Sequence, residues 1–383
     1  MNSQIQLPPP ATGAVDLLIV SAEHSGDAHA ARMVRELRAK RPDLRVCALG
    51  GPQLEAAGAQ LLRDLTVGST MGFAVLAKIS FYRALIAEVV RWIGEHRPEA
   101  VCFVDSSGLN LRIAKKLFAR GFSAKAGGPT RTLYYICPQI WASRAGRRFA
   151  MARHLDAVAA IFPFELPVYA DTTLQAEFVG HPLLAAEHAL PVAFDAAGPV
   201  LLLPGSRRQV VSRVFPVLLE AFAAAGGNHA AVALFPSEEI RVLLAKMKDA
   251  SAVGSRVVLR AVSGEPVGAA AVLTASGTMS LECALAGIPG ALTYRTDPLT
   301  YFLGRLLVTV DRIGIANLLL NEPMYPEFIQ GDATPAALAA QLRECLDSPE
   351  RLTKTRAQAA RLQTLLHAPT QGSAADWLLR QIG

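Results

Sequence analysis

The fold is decided by residues 16–27, DLLIVSAEHSGD, in which a short apolar run is followed by small polar residues. An amphipathic stretch continues from there to about Arg41. This order of strand, turn and helix is typical of a βα unit on a parallel sheet. The pattern begins again at residues 200–209, VLLLPGSRRQ. The sequence therefore predicts two α/β domains, each with its own parallel sheet.

Apolar runs of strand length follow both of these stretches. They predict strands at 44–49, 100–105, 131–136, 157–162 and 176–179 in the first domain, and at 231–235, 256–260, 270–274 and 290–294 in the second. Parallel sheets of this class bind ligands at the carboxyl ends of their strands. We therefore expect the functional residues on the loops after these strands, in a cleft between the two domains.

Length and composition agree with this organisation. A chain of 383 residues exceeds one ordinary core, and 51% hydrophobic with 18% charged residues indicates a core-rich protein. The pattern predicts a Pro-rich lead-in at 1–14, a Rossmann-like domain at 15–188, a linker at 189–199, a second such domain at 200–353, and a helical segment at 354–383 that packs back.

Several classes of protein are disfavoured by the composition. Five scattered cysteines without a C-x-x-C spacing indicate neither a disulfide framework nor a zinc site, and fit a reducing cytoplasm. No apolar run is long enough for a transmembrane helix, and the N-terminus lacks the features of a signal peptide. The net charge of +6 favours anionic partners such as phosphates, anionic lipid headgroups or nucleic acid, and the excess is too small to choose among them. Membrane contact is expected to be peripheral, because no transmembrane segment is predicted.

Carboxylates follow two strands of the first domain. Glu23 and Asp27 lie on the loop after the first strand, and Asp105 ends the strand at 100–105. Such positions are usual for catalytic bases of α/β enzymes. N-capping of the adjacent helices is the alternative for Asp27 and for Asp105.

Two loops of the second domain have the composition of a phosphate site. Ser206 and Arg207 precede one helix, and Ser276, Gly277 and Thr278 begin another, with Glu282 one turn further along. Free amides at a helix start and an Arg guanidinium suit a diphosphate, and a carboxylate can accept hydrogen bonds from a ribose diol. The pattern predicts a nucleotide-diphosphate site; a solvated turn and a simple capped helix are the alternatives.

Two stretches have the character of lipid contacts. Residues 71–93 are helical in period and strongly apolar, with Met71, Phe73 and Phe81 interleaved with cations. Trp141 is followed by Arg144, Arg147 and Arg148, a combination that suits a lipid phosphate. Core packing and a solvated helix face are the respective alternatives.

Taken together, ordered blocks across nearly the whole chain resemble the lipid-A-disaccharide synthase family. The blocks are 23–27 (EHSGD), 71–73 (MGF), 104–105 (VD) with Asn110, 138–141 (PQIW) with Arg144, 162–165 (FPFE), 178–182 (FVGHP), 203–208 (LPGSRR), 276–278 (SGT) with 281–282 (LE), 294–295 (YR) with 298–300 (PLT), 317–319 (NLL) and 327–330 (EFIQ).

This resemblance implies a GT-B fold and an inverting, metal-independent transfer without a cofactor. The implied donor is UDP-2,3-diacylglucosamine, and the acceptor is the 6-hydroxyl of 2,3-diacylglucosamine 1-phosphate (lipid X). Asp105 would be the base, with Glu23 and Asp27 shaping the acceptor side, and the two loops of the second domain would hold UDP. Asn317 and Gln330 match further cleft-side positions of the family, so we expect them to contact the substrate. The resemblance also implies a peripheral enzyme on the cytoplasmic face of the inner membrane with no nucleic acid partner, and allows a homodimer.

The departures from the family pattern lie in the first domain. Ala22 and His24 replace small residues of the first block, Val75 replaces an acidic residue, Gly108 stands where a second carboxylate is usual, and Gln139 replaces Ser. These departures leave alternative functions open. The protein could be a paralogue that is catalytically silent or uses another acceptor, a UDP-sugar epimerase, or a UDP-lipid-binding protein.

Overall fold

The computed structural model describes residues 5–66, 75–185, 189–297, 301 and 310–383. The chain divides into two compact units. Unit 1 comprises Met1–Pro182 and Ala368–Gly383, and unit 2 comprises Leu183–His367. Both are built on parallel sheets, so the predicted pair of Rossmann-like domains is confirmed.

Unit 1 contains a seven-stranded parallel sheet. Its strands are β1 (Leu17–Val20), β2 (Val46–Gly50), β3 (Gln60–Asp64), β4 (Ala100–Val104), β5 (Arg131–Tyr135), β6 (Ala157–Ala160) and β7 (Gln175–Phe178), in the spatial order β3-β2-β1-β4-β5-β6-β7. Leu17 of β1 is in register with Val46 on one side and Ala100 on the other. The chain therefore reverses direction across the sheet between β1 and β4, the switch point at which doubly wound sheets bind ligands.

Helices cover both faces of this sheet. They are α1 (His24–Lys40), α2 (Pro52–Ala56), α3 (Val75–His96), α4 (Ser107–Ala119) and α5 (Arg147–His154). Alternate residues of a strand point to opposite faces, so Leu18 packs in the cluster that contains Trp92 and Ile113, whereas Leu17 packs in the cluster that contains Val34. Both clusters are fully apolar layers, as the strand composition predicts.

The predicted lead-in belongs to unit 1. Leu7 is buried, and its amide donates to Glu88 Oε1 of α3 at 2.7 Å. Trp92 Nε1, also on α3, donates to the carbonyl of Pro8 at 2.8 Å. Leu7 and Pro8 are thus fastened to α3, whereas Pro9 and Ala11 bond to the Gln60 side chain of β3.

Unit 2 contains a six-stranded parallel sheet and a small two-stranded one. The strands are β8 (Val192–Phe194), β9 (Val200–Leu203), β10 (Ala231–Phe235), β11 (Val257–Ala261), β12 (Val267–Ala269), β13 (Ala271–Ala275), β14 (Gly290–Tyr294) and β15 (Glu327–Ile329). The larger sheet has the order β11-β10-β9-β13-β14-β15, and β8 pairs with β12. Because β9 and β13 are neighbouring parallel strands, the loops after them lie side by side at the carboxyl end of the sheet.

The helices of unit 2 follow the same alternation with its strands. They are α6 (Arg208–Ala225), α7 (Glu238–Asp249), α8 (Thr278–Leu285), α9 (Ile315–Leu320), α10 (Pro335–Asp347) and α11 (Pro349–Leu366). Phe215 and Phe222 of α6 pack with Leu338 and Leu342 of α10 in the apolar cluster under one face of the sheet.

The division of the chain differs from the predicted one at both domain boundaries. The expected linker at 189–199 contains β8, which pairs with β12 of unit 2. The expected C-terminal segment at 354–383 is split: α11 stays with unit 2, whereas the last helix, α12 (Ala374–Ile382), packs on α1 in unit 1. Trp377 of α12 is buried in the cluster that contains Leu17, which explains the return.

Most predicted strands lie within two residues of their observed bounds, but β3, β8, β12 and β15 had no predicted counterpart. Among the described residues, no helix has the length and apolar character needed to cross a bilayer.

Candidate active site

Asp105 occupies the loop at the carboxyl end of β4. Its φ is +49° and that of Ser106 is +46°, so two successive non-glycine residues adopt the left-handed conformation. Such backbone costs free energy and persists only where the surroundings impose it. Helix α4 begins at Ser107 with Ser106 as its N-cap, and no side chain caps it. The alternative N-cap role of Asp105 is therefore not the one observed.

Two buried side chains hold this strained loop. Asn110 Nδ2 donates to the carbonyl oxygen of Asp105 at 2.8 Å and to that of Val104 at 3.2 Å. The hydroxyl of Tyr134 donates to the same carbonyl of Asp105. Burial, and then the negative charge of Asp105, raise the pKa of Tyr134 well above its ordinary value, so the phenol remains a donor. The position of Asp105 is thus over-determined by its neighbours.

The loop after β1 lies beside Asp105. The amide of Ala22 donates to Ser106 Oγ at 3.3 Å. A Cβ added to Gly26 would collide with Ser21 Oγ and would lie 3.5 Å from Cβ of Asp105. Glu23 is the exposed N-cap residue of α1 on this loop. The structure therefore brings the segments of Glu23 and Asp105 together at one edge.

Asp27 differs from its predicted catalytic role. It is 1% exposed, and its carboxylate accepts hydrogen bonds from the amides of Gly51 (2.8 Å), Gln53 (3.1 Å) and Leu54 (3.3 Å). These amides belong to the start of α2, so Asp27 caps a helix other than its own. The carboxylate fastens α1 to α2 and is enclosed, so we correct its assignment to a structural one.

Replacing Asp27 with Ala should destabilise unit 1 by about 2–4 kcal/mol, because three amides at a helix start lose a charged acceptor. Denaturant unfolding measures the change, with Ser25→Ala on the exposed first turn of α1 as the control. Unchanged stability together with abolished transfer would return Asp27 to the catalytic residues.

Trp141 lies on the loop after β5, next to the β4 loop. Its Nε1 donates to Glu165 Oε1 at 3.2 Å, and its ring makes an edge-on contact with Phe164 at 5.0 Å between centroids. Glu165 Oε2 accepts the amides of Ile161 and Phe162, both at 3.0 Å. Burial raises the pKa of Glu165 to about 7. A buried carboxyl thus fixes both the Trp141 ring and the turn after β6.

The remaining residues predicted to contact lipid are placed as follows. Arg144 is exposed, with φ +58°, on the loop that leads to α5. Phe81 of α3 is 36% exposed and packs edge-on against Tyr82, with the guanidinium of Arg63 over its ring. Met71 and Phe73 lie outside the described residues.

In unit 2 the two predicted phosphate loops meet at one edge of the sheet. Leu203 of β9 is in register with Thr274 of β13. A Cβ added to Gly205, which has φ +102°, would lie 3.7 Å from Cβ of Ala275. Ser206, Arg207, Gly277 and Thr278 are exposed there. Arg207 is the N-cap residue of the 18-residue helix α6, so a guanidinium and free helix amides lie together.

Ser276 and Glu282 are less accessible. Ser276 Oγ donates to the carbonyl of Ile313 at 2.8 Å, which ties the β13 loop to the segment before α9. Glu282 of α8 is 6% exposed, and burial raises its pKa to about 7. A carboxyl whose pKa is raised by burial, one turn from a helix start, is a candidate for a functional site.

Asn317 is predicted to contact substrate, but the structure gives it a different role. It is 1% exposed; its Nδ2 donates to the carbonyl of Tyr325 (2.7 Å) and to Glu327 Oε1 (2.8 Å), and its Oδ1 accepts the amides of Met324 and Tyr325. All its hydrogen-bonding groups are used within the protein. We therefore correct Asn317 to a residue that positions the chain around α9.

Gln330 is also engaged with its own chain. Its Oε1 accepts the amide of Thr296 at 2.8 Å, and its Nε2 donates to the carbonyl of the same residue at 3.2 Å. This pair of bonds extends the pairing of β14 with β15 beyond the end of both strands. The amide of Gln330 thus positions the chain after β14 and β15, and its contact with substrate stays a prediction.

Across the described residues, no cluster of three or more His, Cys, Asp or Glu side chains has the arrangement of a metal site. At the carboxyl end of its sheet, unit 1 presents the strained loop that carries the Asp105 carboxylate. At the corresponding end of its own sheet, unit 2 presents a guanidinium, free helix amides and a buried carboxyl.

Residues 17–382 match the family model described as lipid-A-disaccharide synthetase. The chain belongs to this family. The lipid-A-disaccharide synthase of Geobacter metallireducens is 35% identical over 91% of this chain and 92% of its own length. That of Nitrosococcus oceani is 34% identical over 87% of each chain. The protein is therefore a glycosyltransferase that transfers a hexosyl group, as the motifs predicted.

Solved structures support the fold independently. The glycotransferase of kitacinnamycin aligns with a TM-score of 0.60 at 17% identity, covering 97% of this chain and 100% of its own. The calicheamicin glycosyltransferase aligns with a TM-score of 0.56 at 14% identity, covering 96% and 98%. At such identities the likeness shows the fold alone, and it confirms the predicted GT-B class.

Some residues that build the edge carried little signal in the sequence. In the sequence, Tyr134 looks like an ordinary core aromatic residue of β5. Its hydrogen bond to the Asp105 carbonyl depends on tertiary structure. Glu165 did carry a signal, because a Pro at the first position and a Glu at the third position of a helical turn is an N-terminal pattern.

Proposed function

We propose that this family member joins UDP-2,3-diacylglucosamine to the 6-hydroxyl of lipid X with inversion at the anomeric carbon. The hydroxyl oxygen forms the new bond to C1 while the bond from C1 to the UDP oxygen breaks. One proton leaves the hydroxyl, and UDP departs with the electron pair. The reaction therefore needs a base for the acceptor and cationic or dipolar groups for the leaving diphosphate.

The observation that carries the proposal is the fixed, strained position of Asp105. Its carbonyl is held by Asn110 and Tyr134, and its backbone lies in a conformation that a free loop would leave. Strain of this kind is concentrated at functional sites. We assign the Asp105 carboxylate as the base, with Glu23 on the adjacent loop shaping the acceptor side.

The UDP leaving group is assigned to the paired loops of unit 2. Arg207 supplies a guanidinium, the amides at the starts of α6 and α8 supply dipoles, and Glu282 supplies an acceptor for the ribose diol. Ser276 fixes the second loop through its bond to Ile313. Trp141, Arg144 and Phe81, with Met71 and Phe73 of the undescribed segment, are assigned to the lipid-linked substrates and the cytoplasmic face of the inner membrane.

The direct test is a mass-spectrometric assay of the purified protein with the two diacylated substrates. Release of UDP together with a β(1→6) disaccharide 1-phosphate supports the proposal. Turnover with only another acceptor, or epimerisation of the UDP-sugar, would replace it with an acceptor-shifted or epimerase function. UDP binding without any product would indicate a binding protein.

Replacing Arg207 with Ala should raise the Kd for UDP by about 10–100-fold, because a charge-assisted bond to the diphosphate is lost. Titration calorimetry measures this change. Arg241→Ala is the matched control, since it removes the same charge from an exposed, ion-paired site on α7 of unit 2. Equal affinities of the two variants would exclude Arg207 from the nucleotide site.

A further inference from the structure

The positive charge of this chain is concentrated in one segment. Residues 106–154 contain ten Lys and Arg and no Asp or Glu, so the rest of the chain carries a net negative charge. The cations are Arg112, Lys115, Lys116, Arg120, Lys125, Arg131, Arg144, Arg147, Arg148 and Arg153. The segment includes α4, α5 and the loop before α5, all in unit 1.

The fold brings the cations of these two helices to one exposed surface, which we call the α4–α5 face. Arg112, Lys115 and Lys116 are exposed on α4, and Arg153 is exposed on α5. The two helices pack against each other, and the guanidinium of Arg153 on α5 lies 5.3 Å from the ring centroid of Phe118 on α4. The cations of α4 and α5 therefore lie on neighbouring helices, and Arg153 and Lys115 are both close enough to His154 to affect its charge.

Like charges are crowded on this face. Burial, and then the charges of Arg153 and Lys115, lower the pKa of His154. Burial and the nearby Arg144 lower the pKa of Arg147 in the same way. Such repulsion costs folding free energy, and an anionic partner would relieve it.

An aromatic side chain projects from the middle of the cations. Phe149 at the start of α5 is 53% exposed, and the guanidinium of Arg148 lies over its ring at 4.3 Å. Arg148 is in turn held by a two-bond ion pair with Asp171. An exposed ring among cations fits the interface of a bilayer, where the ring enters the headgroup region and the cations meet lipid phosphates. A nucleic acid backbone offers no apolar layer for this ring.

We propose that the α4–α5 face is the surface with which unit 1 docks on a bilayer that contains anionic lipids. The face begins beside the edge that carries Asp105, because α5 follows the loop after β5 and β5 is the neighbour of β4. A lipid-linked acceptor would reach that edge from the docked side. The proposal rests on the proposed function for its membrane and adds the surface that meets it, whereas vesicle binding can be measured without any transfer activity.

The test is co-sedimentation with vesicles of equal parts phosphatidylcholine and phosphatidylglycerol, compared with phosphatidylcholine alone. We expect binding only to the anionic vesicles, and loss of binding as salt is added. Each cation at such a surface contributes about 5-fold to partitioning, so Lys115→Glu with Arg153→Glu should lower binding by about 25-fold or more. Phe149→Ser should weaken binding without changing its dependence on salt.

The matched control is Lys354→Glu with Arg361→Glu, which makes the same charge change on exposed positions of α11 in unit 2. This variant should bind vesicles like the unaltered protein. The proposal would be overturned if both double variants lost vesicle binding equally, or if the variant of Lys115 and Arg153 bound vesicles like the unaltered protein. Equal binding of the unaltered protein to the two vesicle types would also overturn it. Tighter binding to duplex DNA than to anionic vesicles would do so as well.

Transfer with detergent-dispersed substrates separates the two proposals. The Lys115 and Arg153 variant should retain its activity in detergent, since neither residue belongs to the assigned site, and circular dichroism should confirm that it is folded. Failure of transfer by the unaltered protein would refute the proposed function and leave the vesicle result standing.

Discussion

Replacing Asp105 with Asn is expected to lower kcat for disaccharide formation by about 10²–10⁴-fold, the usual contribution of a general base. Asn is the appropriate substitute because it tolerates the left-handed backbone of this position better than Ala, so the loop should remain intact. The Kd for UDP should be unchanged, since the carboxylate is assigned to the acceptor. A mass-spectrometric rate assay and calorimetry with UDP measure the two quantities.

The control for this result is Asn110→Ala, which removes the amide that supports the Asp105 carbonyl and leaves the carboxylate in place. It should lower kcat less than Asp105→Asn does, and lower stability more. Near-wild-type transfer by Asp105→Asn would disprove the assignment of the base. Equal loss in stability and activity for both variants would mean that Asp105 only maintains the loop.

The second large effect concerns Glu282, whose replacement by Gln should change stability and nucleotide binding in opposite directions. The pKa of this carboxyl is about 7 in the folded protein against 4.5 for the ordinary group. Between these pH values the folded state binds more protons than the unfolded state. The stability contributed by the protonated form is therefore lost as the pH rises through this window.

At pH 8 the unaltered protein holds Glu282 ionised and buried, so Glu282→Gln should raise the free energy of unfolding by about 2–3 kcal/mol. The same substitution should raise the Kd for UDP by about 10-fold, because a charged acceptor for the ribose diol is lost. UDP affinity of the unaltered protein should also fall as the pH drops below about 7.

Glu165 provides the comparison for this experiment. Burial raises its pKa to about 7 as well, so Glu165→Gln should also reduce the fall of stability between pH 4.5 and 7. Since Glu165 lies in unit 1, UDP affinity should not change. If both variants altered UDP binding equally, or if Glu282→Gln left binding unchanged at every pH, Glu282 would not be a nucleotide ligand.

The architecture could be predicted because it depends on local patterns. The apolar runs at β1 and β9 and the small polar residues after them specify both parallel sheets. The short strands β8, β12 and β15 gave no such signal, since three residues show no periodicity. Their pairing comes from the tertiary structure around them.

The roles of single polar residues were harder to predict, because they depend on contacts that are distant in sequence. Asp27 lies in the first turn of α1, where it looks like a cap for its own helix, yet it binds amides 24–27 residues away. Asn317 lies in a family motif, yet it serves Tyr325 and Glu327. A family motif thus identifies important positions without separating those that touch substrate from those that hold the backbone.

The return of α12 to unit 1 has a consequence for biosynthesis. The indole of Trp377 completes an apolar layer whose other members, such as Leu17 and Val34, are made near the beginning of the chain. A ribosome adds about 5–20 residues per second, so unit 2 occupies roughly 10–40 s of translation between the two parts of unit 1. Unit 1, most of which is made before unit 2, is therefore completed only after unit 2, and premature termination after unit 2 would expose the interior of unit 1.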